Sequence, residues 1–164
     1  MENNIKVEWH EHAINFIIPS NLSLMWKVRE SLLEFLASQG VEDSFEVDIV
    51  FRELLDNAIR HGNKQEAGRV VRARVERLIS GVFRIEMEDQ GEGFDYGSAA
   101  HPDFDEHHFR RYGYLLINTL TEQLEFNARG NAIVAHVTTY GPRNEYGFVD
   151  QHSDRKGGNT WNAR

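Results

Sequence analysis

Two segments near the start of the chain alternate apolar with polar residues, which predicts two half-buried β-strands. Their apolar positions are Ile5, Val7 and Trp9, then Ile14, Phe16 and Ile18. Two amphipathic helices are expected next, because apolar residues recur there every three or four positions. The first covers residues 22–36 before Gly40, and the second begins near Asp43 and stops near Gly62.

The second half of the chain predicts four further strands and one short helix. A hairpin around Gly81 joins two strands, with apolar positions Val71, Ala73 and Val75 and then Phe83, Ile85 and Met87. Residues 90–110 predict a loop, followed by a short helix at 115–120 and a last strand pair around Gly130. The expected fold is α+β, a two-layer sandwich of a mostly antiparallel sheet with about three helices on one face. This domain covers residues 1–140, and the polar residues 141–164 form a C-terminal tail.

Composition narrows the class of protein without identifying a function. The chain has 164 residues, 40% of them hydrophobic, which suits one globular domain. It has no cysteine, so it holds no disulfide and no thiolate metal site. The net charge of -8 disfavours direct binding to nucleic acid and fits a basic protein partner. The sequence shows neither a signal peptide nor an apolar run of membrane-spanning length, so we expect a cytoplasmic protein without a membrane partner.

The second helix carries a line of polar residues along one side. Glu53, Asn57 and His61 are spaced four residues apart, so they lie one above another at the edge of the apolar stripe. Such a line can face a cleft, but the trio alone favours a solvated helix face with a hydrogen-bonded histidine.

A carboxylate follows the strand that carries Met87. If the alternation continues, Asp89 points to the apolar side, where a carboxylate needs a partner. It could accept a hydrogen bond from an exocyclic amine such as that of adenine. The alternative is that the strand ends at Glu88 and that Asp89 only starts a turn.

Two glycines after Asp89 allow the backbone to turn sharply and to approach a ligand closely. Gly91 and Gly93 lack the third glycine of a dinucleotide-binding loop, and no Gly-Lys-Ser/Thr of a phosphate-binding P-loop follows. The pair by itself is also compatible with an ordinary hairpin.

Together the two motifs are more specific than either alone. The chain resembles the histidine-kinase-like (GHKL) ATPase superfamily in two segments, Glu53-Leu-Leu-Asp-Asn57-Ala-Ile-Arg-His61-Gly62 and Asp89-Gln-Gly91-Glu-Gly93-Phe94. Their order and spacing both match. Within the superfamily, residues 10–140 resemble the stand-alone anti-sigma-factor serine/threonine kinases.

The resemblance implies a site for ATP and Mg and assigns roles to individual residues. Asn57 matches the asparagine that coordinates Mg, and Glu53 matches the general base that acts on the acceptor hydroxyl. Asp89 matches the aspartate that binds the adenine amine. Gly91 and Gly93 match the backbone positions that pass beside the nucleotide.

The chain departs from the family at its second glycine motif, usually Gly-x-Gly-Leu at the start of the helix after the ATP lid. Gly113 matches, but Arg111 stands at the first glycine and Tyr114 at the leucine. Arg110 and Arg111 could pair with the ATP phosphates, or Arg111 and Tyr114 could obstruct the site. The threonine that many relatives carry before the last strand is also missing, with Asn131 and Ala132 in that region.

The expected lid, residues 96–112, is rich in acids and histidines. These are His101, Asp103, Asp105, His107 and His108. Their spacing fits no zinc pattern, so we interpret them as solvated polar residues and expect no transition metal. ATP and Mg are the cofactors that the sequence predicts.

The resemblance implies a serine/threonine kinase that sequesters a sigma factor, phosphorylates an anti-anti-sigma protein of the STAS type and forms a homodimer. The alternative is a regulator that binds a sigma factor or another partner with weak ATP binding or none, which Arg111 and Tyr114 favour. The catalytic half of a sensor histidine kinase is disfavoured, because the lid is short and no segment predicts a phosphoacceptor hairpin.

Overall fold

The strands form one antiparallel sheet. A computed structural model describes residues 4–79, 81–93 and 108–140. In chain order the strands are β1 Lys6–Trp9, β2 Ala13–Pro19, β3 Val70–Ile79, β4 Val82–Glu88, β5 Gln123–Phe126 and β6 Ala132–Thr138. Their order across the sheet is β1-β2-β3-β4-β6-β5, and all neighbouring strands are antiparallel. The last strand, β6, is therefore inserted beside β4, the strand that leads to Asp89.

Among the described residues, three α-helices cover one face of the sheet. They are α1 Met25–Ser38, α2 Phe45–Asn57 and α3 His108–Leu120. A short 3-10 turn, Leu22–Leu24, precedes α1, and the Asn21 side chain caps it by accepting the Ser23 N–H at 2.9 Å. A π-helical turn, Ala58–Gly62, follows α2. None of the described helices is long and apolar enough to cross a bilayer.

The helix α3 begins earlier than the sequence pattern suggests. Residues 108–110 belong to the helix and not to the preceding loop. Only Phe109 among these first residues is apolar, so the apolar periodicity starts in the later turns, where Ile117 is buried in the core. Residues 94–107, which include most of the expected lid, and the tail 141–164 lie outside the described residues.

The buried side chains of helices and strands form one core between the two layers. On β4 the predicted alternation holds, because Phe83, Ile85 and Met87 are buried whereas Arg84 and Glu86 lie on the other side. That other face of the sheet is polar and is crossed by ion pairs. The predicted α+β sandwich, an antiparallel sheet with about three helices on one face, is confirmed among the described residues.

An ion pair fixes α2 against α1. The nearly buried carboxylate of Asp48 accepts hydrogen bonds from Arg29 Nε at 2.9 Å and from Arg29 Nη2 at 3.1 Å. The hydrogen bond and the charge of Asp48 raise the pKa of Arg29. Asp48 lies about 1.4 helical turns before Glu53, so its contact with α1 sets the rotation of α2 and with it the side on which Glu53 emerges.

Candidate functional site

The polar side of α2 forms the first wall of the site. Glu53 and Asn57 are half-buried and stand about one helical turn apart. After Asn57 the helix widens, and the Asn63 N–H donates to the Ala58 carbonyl at 2.8 Å, five residues back. Wider turns of this kind occur often at functional sites. The straight line of a regular helix is therefore interrupted after Asn57, and His61 is exposed.

Asp89 follows β4 directly and stays tied to the sheet. Its N–H donates to the Asn131 carbonyl at 2.9 Å, and the Asn131 side chain donates to the Asp89 carbonyl at 2.8 Å. The carboxylate is half-buried, and its Oδ1 accepts the Gly91 N–H at 2.7 Å. Although β4 ends at Glu88, this pairing holds Asp89 on the helix side of the sheet, as the alternation predicts.

Burial raises the pKa of Asp89 above the ordinary aspartate value, because the charged carboxylate loses hydration. The hydrogen bond from Gly91 and the charges of Arg129 and Arg69 oppose this rise, whereas Glu88 adds to it. Within the described residues, a hydrogen bond reaches Oδ1 and none reaches Oδ2. A half-buried acceptor with one oxygen available fits the exocyclic amine of adenine.

The end of α2 and the glycine loop touch through two glycines. A Cβ on Gly62 would overlap the Asp89 carboxylate, and a Cβ on Gly91 would overlap the Gly62 carbonyl oxygen. Both positions therefore require glycine for this close approach. The contact places Asp89 beside the end of the same helical segment that carries Glu53 and Asn57.

The helix α3 packs over the Glu53 end of the helical segment that runs from Glu53 to Gly62. A Cβ on Gly113 would lie 2.6 Å from Glu53 Oε2, so the glycine lets the backbone of α3 pass directly over that carboxylate. Because α3 begins at His108, Gly113 lies in its second turn, where N–H groups are bonded within the helix. The free N–H groups of the helix start are those of residues 108–111. Arg111 lies in this first turn, and its side chain is outside the described atoms.

The turn between β5 and β6 forms a third wall of the site, after α2 and the glycine loop. Asn127 Oδ1 holds this turn by accepting the Gly130 N–H at 2.8 Å and the Asn131 N–H at 3.1 Å. Arg129 Nη2 donates to the Gly91 carbonyl at 2.9 Å. The turn therefore supports the glycine loop from the side opposite α2.

Replacing Gly93 with alanine is expected to destabilise the protein more than the same change at Gly68. Both glycines have a left-handed φ, 89° and 90°, which costs a side chain about 1–2 kcal/mol. A Cβ on Gly93 would also overlap the Arg129 carbonyl, whereas nothing lies within 4 Å of one on Gly68. We expect the Gly93 variant to lose about 1–3 kcal/mol more, measured by urea unfolding. Equal losses would contradict the contact between the loop and the turn.

Three residues of this region take part in ways that sequence analysis missed. Asn63 is buried behind the glycine contact and bonds to Gln90. Its only signal in the sequence is an asparagine directly after the glycine that ends a helix. Arg129 and Asn131 come beside Asp89 because β6 pairs with β4, and no local pattern indicates that pairing.

The arrangement suits an elongated ligand with chemically different ends. Asp89 offers an acceptor at one end of the helical segment, Glu53 offers a carboxylate at the other, and Asn57 lies between them. The described residues contain no cluster of three potential metal ligands. A single amide oxygen from Asn57 nevertheless fits Mg, which takes most of its ligands from phosphates and water.

The chain is similar to a known domain family and to a solved structure. No curated protein matches the sequence. One solved structure, the histidine kinase domain from the Erythrobacter litoralis EL346 blue-light activated histidine kinase, is 19% identical with a TM-score of 0.41. The match covers 73% of this chain and 60% of that one, so the chain spans less than two thirds of it. Residues 18–137, well over half of the chain, match the family model of the histidine kinase-like ATPase domain, and the chain therefore belongs to that family.

Proposed function

We propose that the chain is an ATP-dependent protein serine/threonine kinase that acts as an anti-sigma factor in a partner-switching system. It sequesters a sigma factor and phosphorylates an anti-anti-sigma protein of the STAS type. The observation that carries the nucleotide part is that Glu53 and Asn57 lie on one helical segment and that Asp89 lies beside its end at Gly62. From Glu53 to Gly62 this segment measures about 14 Å at the rise of an α-helix, which suits a ligand as long as ATP.

Each residue has one task in the proposed transfer. Asp89 accepts the adenine amine, and Asn57 holds Mg, which neutralises phosphate charge when bound. Glu53 takes the proton of a serine or threonine hydroxyl as the hydroxyl oxygen bonds to the γ-phosphorus of ATP. The bond from that phosphorus to the bridging oxygen of the β-phosphate breaks, and ADP leaves with the electron pair.

The proposed partners rest on the resemblance around Asn57 and on the charge of the chain. A net charge of -8 favours a partner with a basic surface, as we expect for the sigma factor. A homodimer and a cytoplasmic location belong to the same proposal.

Replacing Asn57 with alanine is expected to weaken ATP binding about tenfold in the presence of Mg, the scale of one neutral ligand group. Isothermal titration calorimetry of ATP with Mg measures this directly. The control is Arg52→Ala, an exposed position on α2 away from the polar line, which should bind as the wild type does. Unchanged affinity in the Asn57 variant would remove Asn57 from the site.

A non-catalytic or weakly ATP-binding regulator is the second candidate function. It is favoured by the packing of Gly113 over the Glu53 carboxylate, which hinders access of a substrate hydroxyl. Arg111 and Tyr114, in place of glycine and leucine, favour it as well. Transfer of radiolabelled phosphate from ATP to a STAS-type protein separates the two functions. Sigma-factor binding without any transfer would support the regulator.

A further inference from the structure

Asn63 is fully buried, and all of its polar groups are hydrogen-bonded. Its N–H donates to the Ala58 carbonyl at 2.8 Å, and its carbonyl accepts the Glu66 N–H at 3.0 Å. In its side chain, Oδ1 accepts the Gln90 N–H at 2.8 Å and Nδ2 donates to the Val70 carbonyl at 3.0 Å. A buried amide whose oxygen and nitrogen are both hydrogen-bonded fixes its neighbours strongly, because each lost bond would leave a buried polar group unpaired.

These side-chain bonds belong to a closed cycle of three residues. The Val70 N–H donates to Gln90 Oε1 at 2.7 Å, which completes the ring from Asn63 to Gln90 to Val70 and back. The cycle joins the end of the helical segment, the start of β3 and the glycine loop. Asn63 and Val70 are 7 residues apart in the chain, but Gln90 is 27 residues from Asn63, so the cycle fixes the glycine loop against the other two elements.

The chain just after Asn63 adopts a conformation that must be held by its surroundings. Lys64 and Gln65 both have left-handed φ values, 53° and 54°. Side chains other than glycine rarely adopt this conformation unless neighbouring contacts impose it. The bonds of Asn63 supply such contacts at the point where the chain leaves the helix.

We propose that Asn63 is a positioning residue that sets the preference of the site for adenine over guanine. The inference rests on the proposed nucleotide site. The Gln90 N–H belongs to the peptide bond that directly follows Asp89, so the bond to Asn63 fixes the orientation of that peptide. Adenine presents an amine donor where guanine presents a carbonyl acceptor, so a carboxylate held at hydrogen-bond distance accepts from adenine and repels guanine.

The test compares ATP and GTP binding in the wild type, Asn63→Ala and Val75→Ala. Val75 is fully buried on β3 and belongs to the common core, so its truncation lowers thermal stability without breaking the cycle. For Asn63→Ala we expect the ratio of ATP to GTP affinity to fall about tenfold, the effect of one lost hydrogen bond. For Val75→Ala we expect a lower Tm and the wild-type ratio. Gln90→Ala, made on an exposed side chain, should shift the ratio less and in the same direction.

Hydrogen exchange of the Gln90 amide in the nucleotide-free protein gives a readout independent of nucleotide. It should be slow in the wild type and in Val75→Ala, and fast in Asn63→Ala. Suppose that the wild type prefers ATP and that Asn63→Ala and Gln90→Ala both keep its ratio of ATP to GTP affinity. The positioning role of Asn63 would then be overturned, and the proposed function would stand. A wild type that binds no ATP would overturn the proposed function, and this inference with it.

Discussion

Replacing Glu53 with glutamine is expected to slow phosphoryl transfer to the partner protein about 10²- to 10⁴-fold, the usual contribution of a general base. ATP affinity should stay close to that of the wild type, because Glu53 acts on the acceptor hydroxyl and not on the nucleotide. Glutamine keeps the shape of the side chain under Gly113, so the packing of α3 on α2 is preserved. The measurement is the single-turnover rate of phosphate transfer from saturating ATP.

Asp56→Asn provides the matched control. It removes one carboxylate charge from the same helix, where Asp56 pairs with Arg60 at 2.8 Å one turn along. Such a pair contributes about 0.3–0.5 kcal/mol, so the control should fold and transfer phosphate normally. An equal loss of rate in both variants would mean that the charge of α2 matters and that Glu53 is not the base.

Replacing Asp89 with asparagine is expected to lower the ratio of ATP to GTP affinity about 10- to 100-fold, the range for a lost hydrogen bond to a charged group. Asparagine can keep the bond from the Gly91 N–H through its own Oδ1. Its Nδ2 then faces the ligand as a donor, which repels the adenine amine and suits the guanine carbonyl. Calorimetry with both nucleotides measures the ratio, and an unchanged ratio would exclude Asp89 from base recognition.

The same substitution should also make the folded state more stable at neutral pH. Because burial raises the pKa of Asp89, the folded chain holds this proton more tightly than the unfolded chain does. The stability from protonated Asp89 is present below the ordinary aspartate pKa, about 3.9. It is lost as the pH rises from that value through the raised pKa. The Tm advantage of Asp89→Asn should therefore appear above this window and vanish below it.

A pH series of thermal unfolding curves for the wild type, Asp89→Asn and Asp56→Asn tests this expectation. Asp56→Asn makes the same chemical change at an acid that pairs with an exposed arginine and does not contact the glycine loop. A Tm advantage for Asp89→Asn that persists at low pH would contradict the raised pKa as its cause. If Asp89→Asn is more stable than the wild type and binds ATP more weakly, the carboxylate of Asp89 serves ligand binding and lowers the stability of the fold.

Local patterns in the sequence were enough to predict the strands, the helices and the order of the two motifs. Strand alternation put Asp89 on the apolar side after Met87, and the structure holds it there although β4 ends at Glu88. Such features are local, because side-chain direction in a strand repeats every two residues and in a helix every three or four. The fold class was predicted from the same periodicity and from the sequence motif around Asn57.

The residues that surround these motifs are set by the packing of the strands and helices. The insertion of β6 beside β4 brings Asn131 to Asp89, and the contact of Gly62 with the glycine loop joins the two motifs. Burial of Asn63 and the early start of α3 before Gly113 were likewise absent from the local pattern. The physical reason is that these contacts join residues distant in the chain, so they depend on how the whole sheet and its helices pack together.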